Sequence, residues 1–262
     1  MGATRGDKVV ERWHSDRLQR EITLARWGSF GQPVLLFPTA GGDAEEIERW
    51  QVIDVLGPLL DAGKIKIYSC DSVAGKALID GEGGPRHLMW IQNMFQQCVR
   101  HEVVPAIRKD CKVPDPKMKG GGFTPTPGIE LWAAGASWGA FHAVAVQCRW
   151  PDVFAKTLAM SGTYELKRFF GTEDVSEDYV VSTPLHFLHT LGGRHLDVLR
   201  TRYIHLASGE GRAEALWESW WMANALGRQG VPNQVDSWGP QYPHDWLTWR
   251  AMLPQILGEW TR

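Results

Sequence analysis

Leu131-Trp132-Ala133-Ala134-Gly135-Ala136-Ser137-Trp138-Gly139-Ala140, continued by an apolar, alanine-rich run to Cys148, decides how this chain is read. It spells a strand, a sharp turn and a helix, with one serine at the turn. In the pattern G-x-S-x-G, which Gly135 to Gly139 satisfies, the two glycines remove side chains that would clash where a strained strand-to-helix turn lifts a serine hydroxyl out of a sheet. Patterns this short recur by chance, so the flanking chain must supply the context.

Upstream, Glu21 to Trp27 alternates as a strand, and Gly28 to Pro33 supplies turn residues, so a hairpin is expected to open the fold. Val34-Leu35-Leu36-Phe37 is a short continuous apolar run, which suits a strand buried on both faces. Pro38-Thr39-Ala40-Gly41-Gly42 follows at once, and its glycines leave room for backbone amides to face an anion. Asp43 with acidic residues behind it predicts a helix running towards Leu60, with Gly57-Pro58 as its break. Ile65 to Cys70 reads as a strand and Asp71 to Gly84 as a loop. Pro85 opens a long helix, Arg86 to Lys109, that Pro105 is expected to kink or interrupt. The proline- and glycine-rich stretch from Asp110 to Gly128 reads as a surface excursion.

Downstream of the serine turn, Ala155 to Met160 and Tyr203 to Ala207 read as strands. Between them, residues 164–200 are irregular and helical in pieces, long enough to form a cap or lid over a pocket. Ala215 to Leu226 is a helix on which Trp217 and Trp221, four residues apart, are expected to pack. Asn233 to Trp238 is a last strand, Gly239 to Trp246 a loop, and Leu247 to Leu257 the closing helix. Strands alternating with helices predict a single α/β domain over 1–262, a mostly parallel central sheet with helices on both faces. Sites in such sheets lie beyond the carboxyl ends of the strands. The Thr39 loop, the Ser137 turn, the Glu214 loop and the His244 loop all fall there.

Composition narrows the function. The 28 basic side chains nearly balance the 30 acidic ones, and no basic block appears, so neither nucleic acid nor an anionic membrane is an expected partner. The polar start of the chain lacks a signal-peptide core and no run approaches a membrane span, so a soluble, cytoplasmic protein is expected. Cys70, Cys98, Cys111 and Cys148 form no C-x-x-C pair and read as reduced, buried thiols. His142 reads as a packed or partly exposed histidine. His186, His189, His195 and His205 lack metal-ligand spacing, so no metal site is expected.

The order serine, acid, histidine along the chain is that of the α/β-hydrolases, and Ser137, Glu214 and His244 match it. Tyr242-Pro243-His244-Asp245-Trp246-Leu247-Thr248-Trp249 resembles the His-Asp-Trp-x-x-Trp ending of the esterase D and mycolyl-transferase antigen branch of that superfamily. The resemblance spans roughly residues 20 to 260. It implies a nucleophile Ser137, a base His244 and an oxyanion hole formed by the N–H groups of Ala40 and Trp138. That branch usually carries His-Gly-x-Gly-Gly in the early loop, where this chain has Pro38-Thr39-Ala40-Gly41-Gly42. Glu214, resembling the Gly-x-Gly-x-x-Glu arrangement of some members, is preferred as the acid, with Glu210, nearer the strand end, as the alternative. Asp245 is expected to cap the last helix instead.

Thr39 and Trp138 are expected to meet the substrate, Trp138 by restricting the acyl pocket. The implied activity is a serine carboxylic-ester hydrolase that works on a small-molecule ester through an acyl-enzyme and needs no cofactor. Acyl transfer or thioester hydrolysis with the same triad, and a non-catalytic binding protein of the same fold, stand as alternatives; a homo-oligomer is admissible.

Overall fold

A computed structural model describes residues 8–114, 123–125 and 128–262. Ten strands are defined among them: β1 Val9–Ser15, β2 Arg20–Trp27, β3 Gln32–Phe37, β4 Ile65–Cys70, β5 Lys112–Pro114, β6 Phe123–Pro125, β7 Leu131–Ala136, β8 Phe154–Met160, β9 Tyr203–Ser208 and β10 Asn233–Ser237. Eight form one sheet in the order β1-β2-β4-β3-β7-β8-β9-β10, and β5 pairs with β6 apart from it. From β4 through β10 every neighbouring pair in the large sheet is parallel, while β1 and β2 are antiparallel additions at one edge.

Alternation along β3 explains why its apolar run is unbroken. Leu35 and Phe37 join the buried cluster of one face, Val34 and Leu36 that of the other. The second face is covered by α2 (Val52–Asp61) and α12 (Trp246–Trp260), the first by α4 (Pro85–Cys98), α5 (Val104–Asp110) and α6 (Trp138–Arg149). A third cluster seats α10 (Gly193–Leu199) and α11 (Leu216–Arg228) beside α6. The four cysteines are buried, and among the described residues no helix is long and apolar enough to cross a membrane.

Several local expectations need correction. The opening hairpin joins β1 to β2, whereas β2 and β3 are not paired and both flank β4. β1 is missed by a hydrophobic reading because it is an edge strand with mostly exposed side chains. The helix expected from Asp43 is two helices, α1 Glu46–Arg49 and α2, parted at Gln51 in the left-handed region with φ 60°, while Pro58 is carried inside α2. The stretch read as a loop after Cys70 contains α3, Val73–Ile79, which packs by Gly75 against the Ala40 backbone. The long helix is interrupted just before Pro105, as expected. A π-helical turn over Val99–Val103 immediately precedes α5 and takes up the irregularity around the missing proline N–H. Trp217 and Trp221 stack on each other at 6.0 Å but stay 55% and 42% exposed, so their spacing marks a surface pair, not a buried face.

Residues 164–200 fold as four short helices, α7 Lys167–Phe170, α8 Glu177–Ser182, α9 Pro184–Phe187 and α10, with Tyr164, Leu166, Tyr179 and Leu199 buried. The surface excursion read over 110–128 falls largely on 115–122 and 126–127, outside the described residues.

Candidate active site

Ser137 sits between β7 and α6 with φ 55° and ψ −118°, a conformation that costs a non-glycine residue free energy and persists because its surroundings enforce it. Both flanking glycines are sterically required. A Cβ at Gly135 would lie 2.3 Å from the Gly139 backbone, and one at Gly139 would lie 2.4 Å from the Phe37 carbonyl. The turn is pinned by Ser137 N–H donating to the Met160 carbonyl at 2.9 Å, a bond that continues the β7–β8 ladder.

The next strand repeats the device. Ser161, just beyond β8, has φ 48° and donates its N–H to the Ala207 carbonyl at 2.7 Å. Ala213, next to Glu214, has φ 64°. Among the described residues five non-glycine positions have positive φ, and Ser137, Ser161 and Ala213 are three of them. Strain of this kind concentrates at functional sites.

The acid and histidine loops are bound to each other by close backbone contact. Gly211 N–H donates to the Tyr242 carbonyl at 3.0 Å, and His244 N–H donates to the Arg212 carbonyl at 3.0 Å. A Cβ at Gly209 would stand 2.0 Å from the Tyr242 carbonyl oxygen, so only glycine lets the strands' ends come this near. The result is that Glu214, its side chain 1% exposed, places Oε2 3.6 Å from His244 Nδ1. Two hydroxyls hold that carboxylate: Ser161 Oγ donates to Oε1 at 2.6 Å and Ser208 Oγ to Oε2 at 3.1 Å. Glu210 turns away and accepts from Ser237 Oγ in an exposed position. Asp245 caps α12, accepting from Leu247 N–H at 2.6 Å.

The second tryptophan of the His-Asp-Trp-x-x-Trp ending has a concrete task. Trp249 meets the His244 ring edge to face at 5.1 Å and 85°, and its Nε1 donates to Ser161 Oγ at 2.9 Å. One side chain thus touches both the histidine and the serine that holds its acid.

The early loop departs from the His-Gly-x-Gly-Gly pattern and is fixed by another route. Glu46, buried, accepts from Thr39 N–H at 2.8 Å and from Thr39 Oγ1 at 2.7 Å. Burial pushes its carboxyl pKa up against these bonds, which favour the charged form. A Cβ at Gly42 would meet that carboxylate at 2.3 Å. The two donors of Thr39 are therefore directed at Glu46, while the residue still lines the cleft beside Ser137. The backbone N–H groups of Ala40 and Trp138 donate to no protein acceptor among the described residues.

Two hollows meet at the serine. A cleft of about 660 Å³ is lined by Trp50, Ile79, Trp246 and Leu247 together with Ser137 and His244. A smaller one, about 380 Å³, shares Ala40, Ser137 and His244 with it and runs instead past Trp138, Thr163 and Phe169. Trp138 packs among Phe141, Phe169 and Phe170 with ring centroids 5.9–6.4 Å apart, and forms the wall of this second hollow. Among the described residues no group of three or more His, Cys, Asp or Glu side chains is placed to hold a metal ion.

In the sequence Ser161 follows a strand but Ser161-Gly162 carries no elbow pattern, and neither Glu46 nor Trp50 stands in a motif. Ser161 could have been found from its place at the carboxyl end of a strand, like the other site segments. Glu46 and Trp50 carry no such signal.

No family model matches the sequence, and no curated protein matches it. Solved structures do resemble it along the whole chain. A ferulic acid esterase superposes with TM-score 0.71 at 19% identity over 98% of each chain. An S-formylglutathione hydrolase from Agrobacterium tumefaciens gives 0.69 at 13% identity, over 100% of this chain and 96% of the other. MPT51 of Mycobacterium tuberculosis gives 0.58 at 15% identity, over 96% and 98%. The chain has the α/β-hydrolase fold that these structures share.

Proposed function

We propose that the protein is a serine carboxylic-ester hydrolase with Ser137 as nucleophile, His244 as general base and Glu214 as the acid of the triad. The observation that carries this reading is that Ser137 and His244 open together into the same cleft, with a buried carboxylate 3.6 Å from the histidine's Nδ1. A serine hydroxyl attacks a carbonyl only as a base removes its proton, and neutral imidazole suits that near pH 7. In this scheme Glu214 holds the tautomer from 3.6 Å, its carboxylate closing on Nδ1–H as the imidazolium forms, which leaves Nε2 free to take the Ser137 proton.

In the first half-reaction Ser137 Oγ bonds to the carbonyl carbon, the oxygen becomes an oxyanion, and collapse expels the alcohol, which takes the proton from His244. Water then attacks the acyl-enzyme by the same route, releasing the acid and restoring Ser137. The N–H groups of Ala40 and Trp138 are the proposed donors to the oxyanion, each contributing on the order of 3 kcal/mol. The Glu46 clamp on Thr39 supports this role for Ala40, since it immobilises the loop one residue before the donor. No cofactor enters the scheme. The proposed setting is the cytoplasm, on the sequence grounds above, and a thioester or an alcohol acceptor would use the same groups.

A fluorophosphonate probe is expected to label Ser137, and Ser137→Ala is expected to abolish hydrolysis of p-nitrophenyl esters. Full turnover in that variant would refute the assignment, and absence of both labelling and turnover would favour a binding role for the fold.

A further inference from the structure

Trp50 occupies a costly position. Helix formation from Glu46 would run on into α2 were it not broken at Gln51, which adopts φ 60° and ψ 22°, a left-handed conformation for which glycine or asparagine is the usual choice. No glycine relieves it. The break meets α12 there: Arg250 Nη1 donates to Gln51 Oε1 at 2.6 Å. Its effect is to turn Trp50 out of the helix path and set its ring parallel to that of Trp246, with 11° between the planes and centroids 5.9 Å apart. Trp50 is left 50% exposed on the wall of the cleft that contains Ser137 and His244.

Other apolar side chains converge on the same cleft without a partner to bury them. Ile79 is 61% and Leu247 66% exposed. Exposed apolar groups gathered at a concave surface mark a ligand groove more often than chance exposure. The walls are flat: Trp246 stacks on Trp50 and meets Trp249 edge to face at 5.1 Å and 80°. A planar aromatic ring gains offset-stacked and edge-to-face contact from such walls beyond the area it buries, whereas an alkyl chain gains area alone. The Arg250 guanidinium, also on the cleft, disfavours a cation as the occupant.

From the Trp50–Trp246 wall and the strained break that presents it, we infer that this cleft is the specificity site for a planar aryl group of the ester, with Trp50 its specificity-determining residue. The inference rests on the hydrolase reading for its chemistry. The aryl group belongs either to the acyl part or to the alcohol, and two matched pairs of esters separate these: methyl 3-phenylpropanoate against methyl hexanoate, and 2-naphthyl acetate against hexyl acetate.

For each pair the readout is the ratio of kcat/KM, aryl over alkyl. Trp50→Ala is expected to lower at least one ratio about tenfold, Trp50→Phe to keep most of it, and Trp220→Ala, which changes a 53% exposed tryptophan outside both hollows, to leave it as it was. Should Trp50→Ala fail to fold, Trp50→Leu, which keeps an apolar side chain there but removes the aromatic face, gives the same readout. Parallel loss on aryl and alkyl esters, or no change in either ratio, overturns the inference and leaves the hydrolase reading standing. Binding is measured separately, by calorimetry on Ser137→Ala with the two aryl esters. Weaker binding on adding Trp50→Ala upholds the aryl site even if the parent protein turns over no ester, and unchanged binding counts against it.

Discussion

Glu214 shows how much of the site rests on single side chains. Its carboxylate receives Ser161 and Ser208 hydroxyls and lies beside His244 Nδ1, whereas Glu210, four residues earlier, faces Ser237. Glu214→Gln is therefore expected to lower kcat by about a thousandfold or more, because the amide can present its N–H to Nδ1 and favour the wrong tautomer. Glu210→Gln is expected to stay close to the parent, and a reversed order of the two effects would reassign the acid. Ser161 touches no reacting atom in this scheme and acts through Glu214 and Trp249. Ser161→Ala is expected to reduce kcat about tenfold with KM little changed, the pattern of an interaction felt in the transition state. Loss confined to stability, with kcat intact, would make Ser161 a packing residue only.

At the scale of elements, the strand–turn–helix of β7 and α6 is set by what cannot fit. The Phe37 carbonyl lies where a Gly139 side chain would begin, so Gly139→Ala forces the β3 and β7 ends apart or moves α6. It is expected to destabilise the fold by about 3 kcal/mol. Gly57, inside α2, is the contrast: nothing lies within 4 Å of its added Cβ. Gly57→Ala is expected to stabilise by roughly 0.5–1 kcal/mol, since alanine loses less backbone entropy in a helix. Urea unfolding of both variants checks the pair. The elbow was legible in the sequence because both glycines are local to it. The break at Gln51 was not, because glutamine has no turn preference and the contact its side chain makes comes from Arg250, 199 positions away in the sequence.

Over the whole molecule, the core on the α4–α6 face holds one ionisable group that meets no polar partner among the described residues. His142 is packed against Phe37, Phe95, Trp138 and Phe141, and burial pushes its pKa down to about 3 from the usual 6.5. Above about pH 6.5 the ring is neutral in both folded and unfolded chains, and its burial carries no protonation penalty. As pH falls below that, the unfolded chain binds a proton that the folded one excludes, so stability declines down to about pH 3. Between pH 7.5 and 4.5 this amounts to about 2–3 kcal/mol. His142→Phe is expected to remove that part of the acid sensitivity, seen as a difference in urea stability between the two proteins that shifts by this amount across the two pH values. An equal difference at both would show that the imidazole does not titrate on unfolding.

The sequence by itself determined the α/β alternation, the both-faces burial of β3, the serine elbow and the order of serine, acid and histidine. Each is written in residues adjacent to one another or in hydrophobic period, which local sterics and solvent exclusion read directly. Only the tertiary structure decided which glutamate faces His244, that Ser161 bonds that glutamate while Trp249 bonds Ser161, that Glu46 replaces the expected loop pattern, and that Trp50 stands beside Trp246. Those are meetings of side chains from strand ends far apart in the chain, and the parallel sheet brings them together along one edge whatever their separation in sequence.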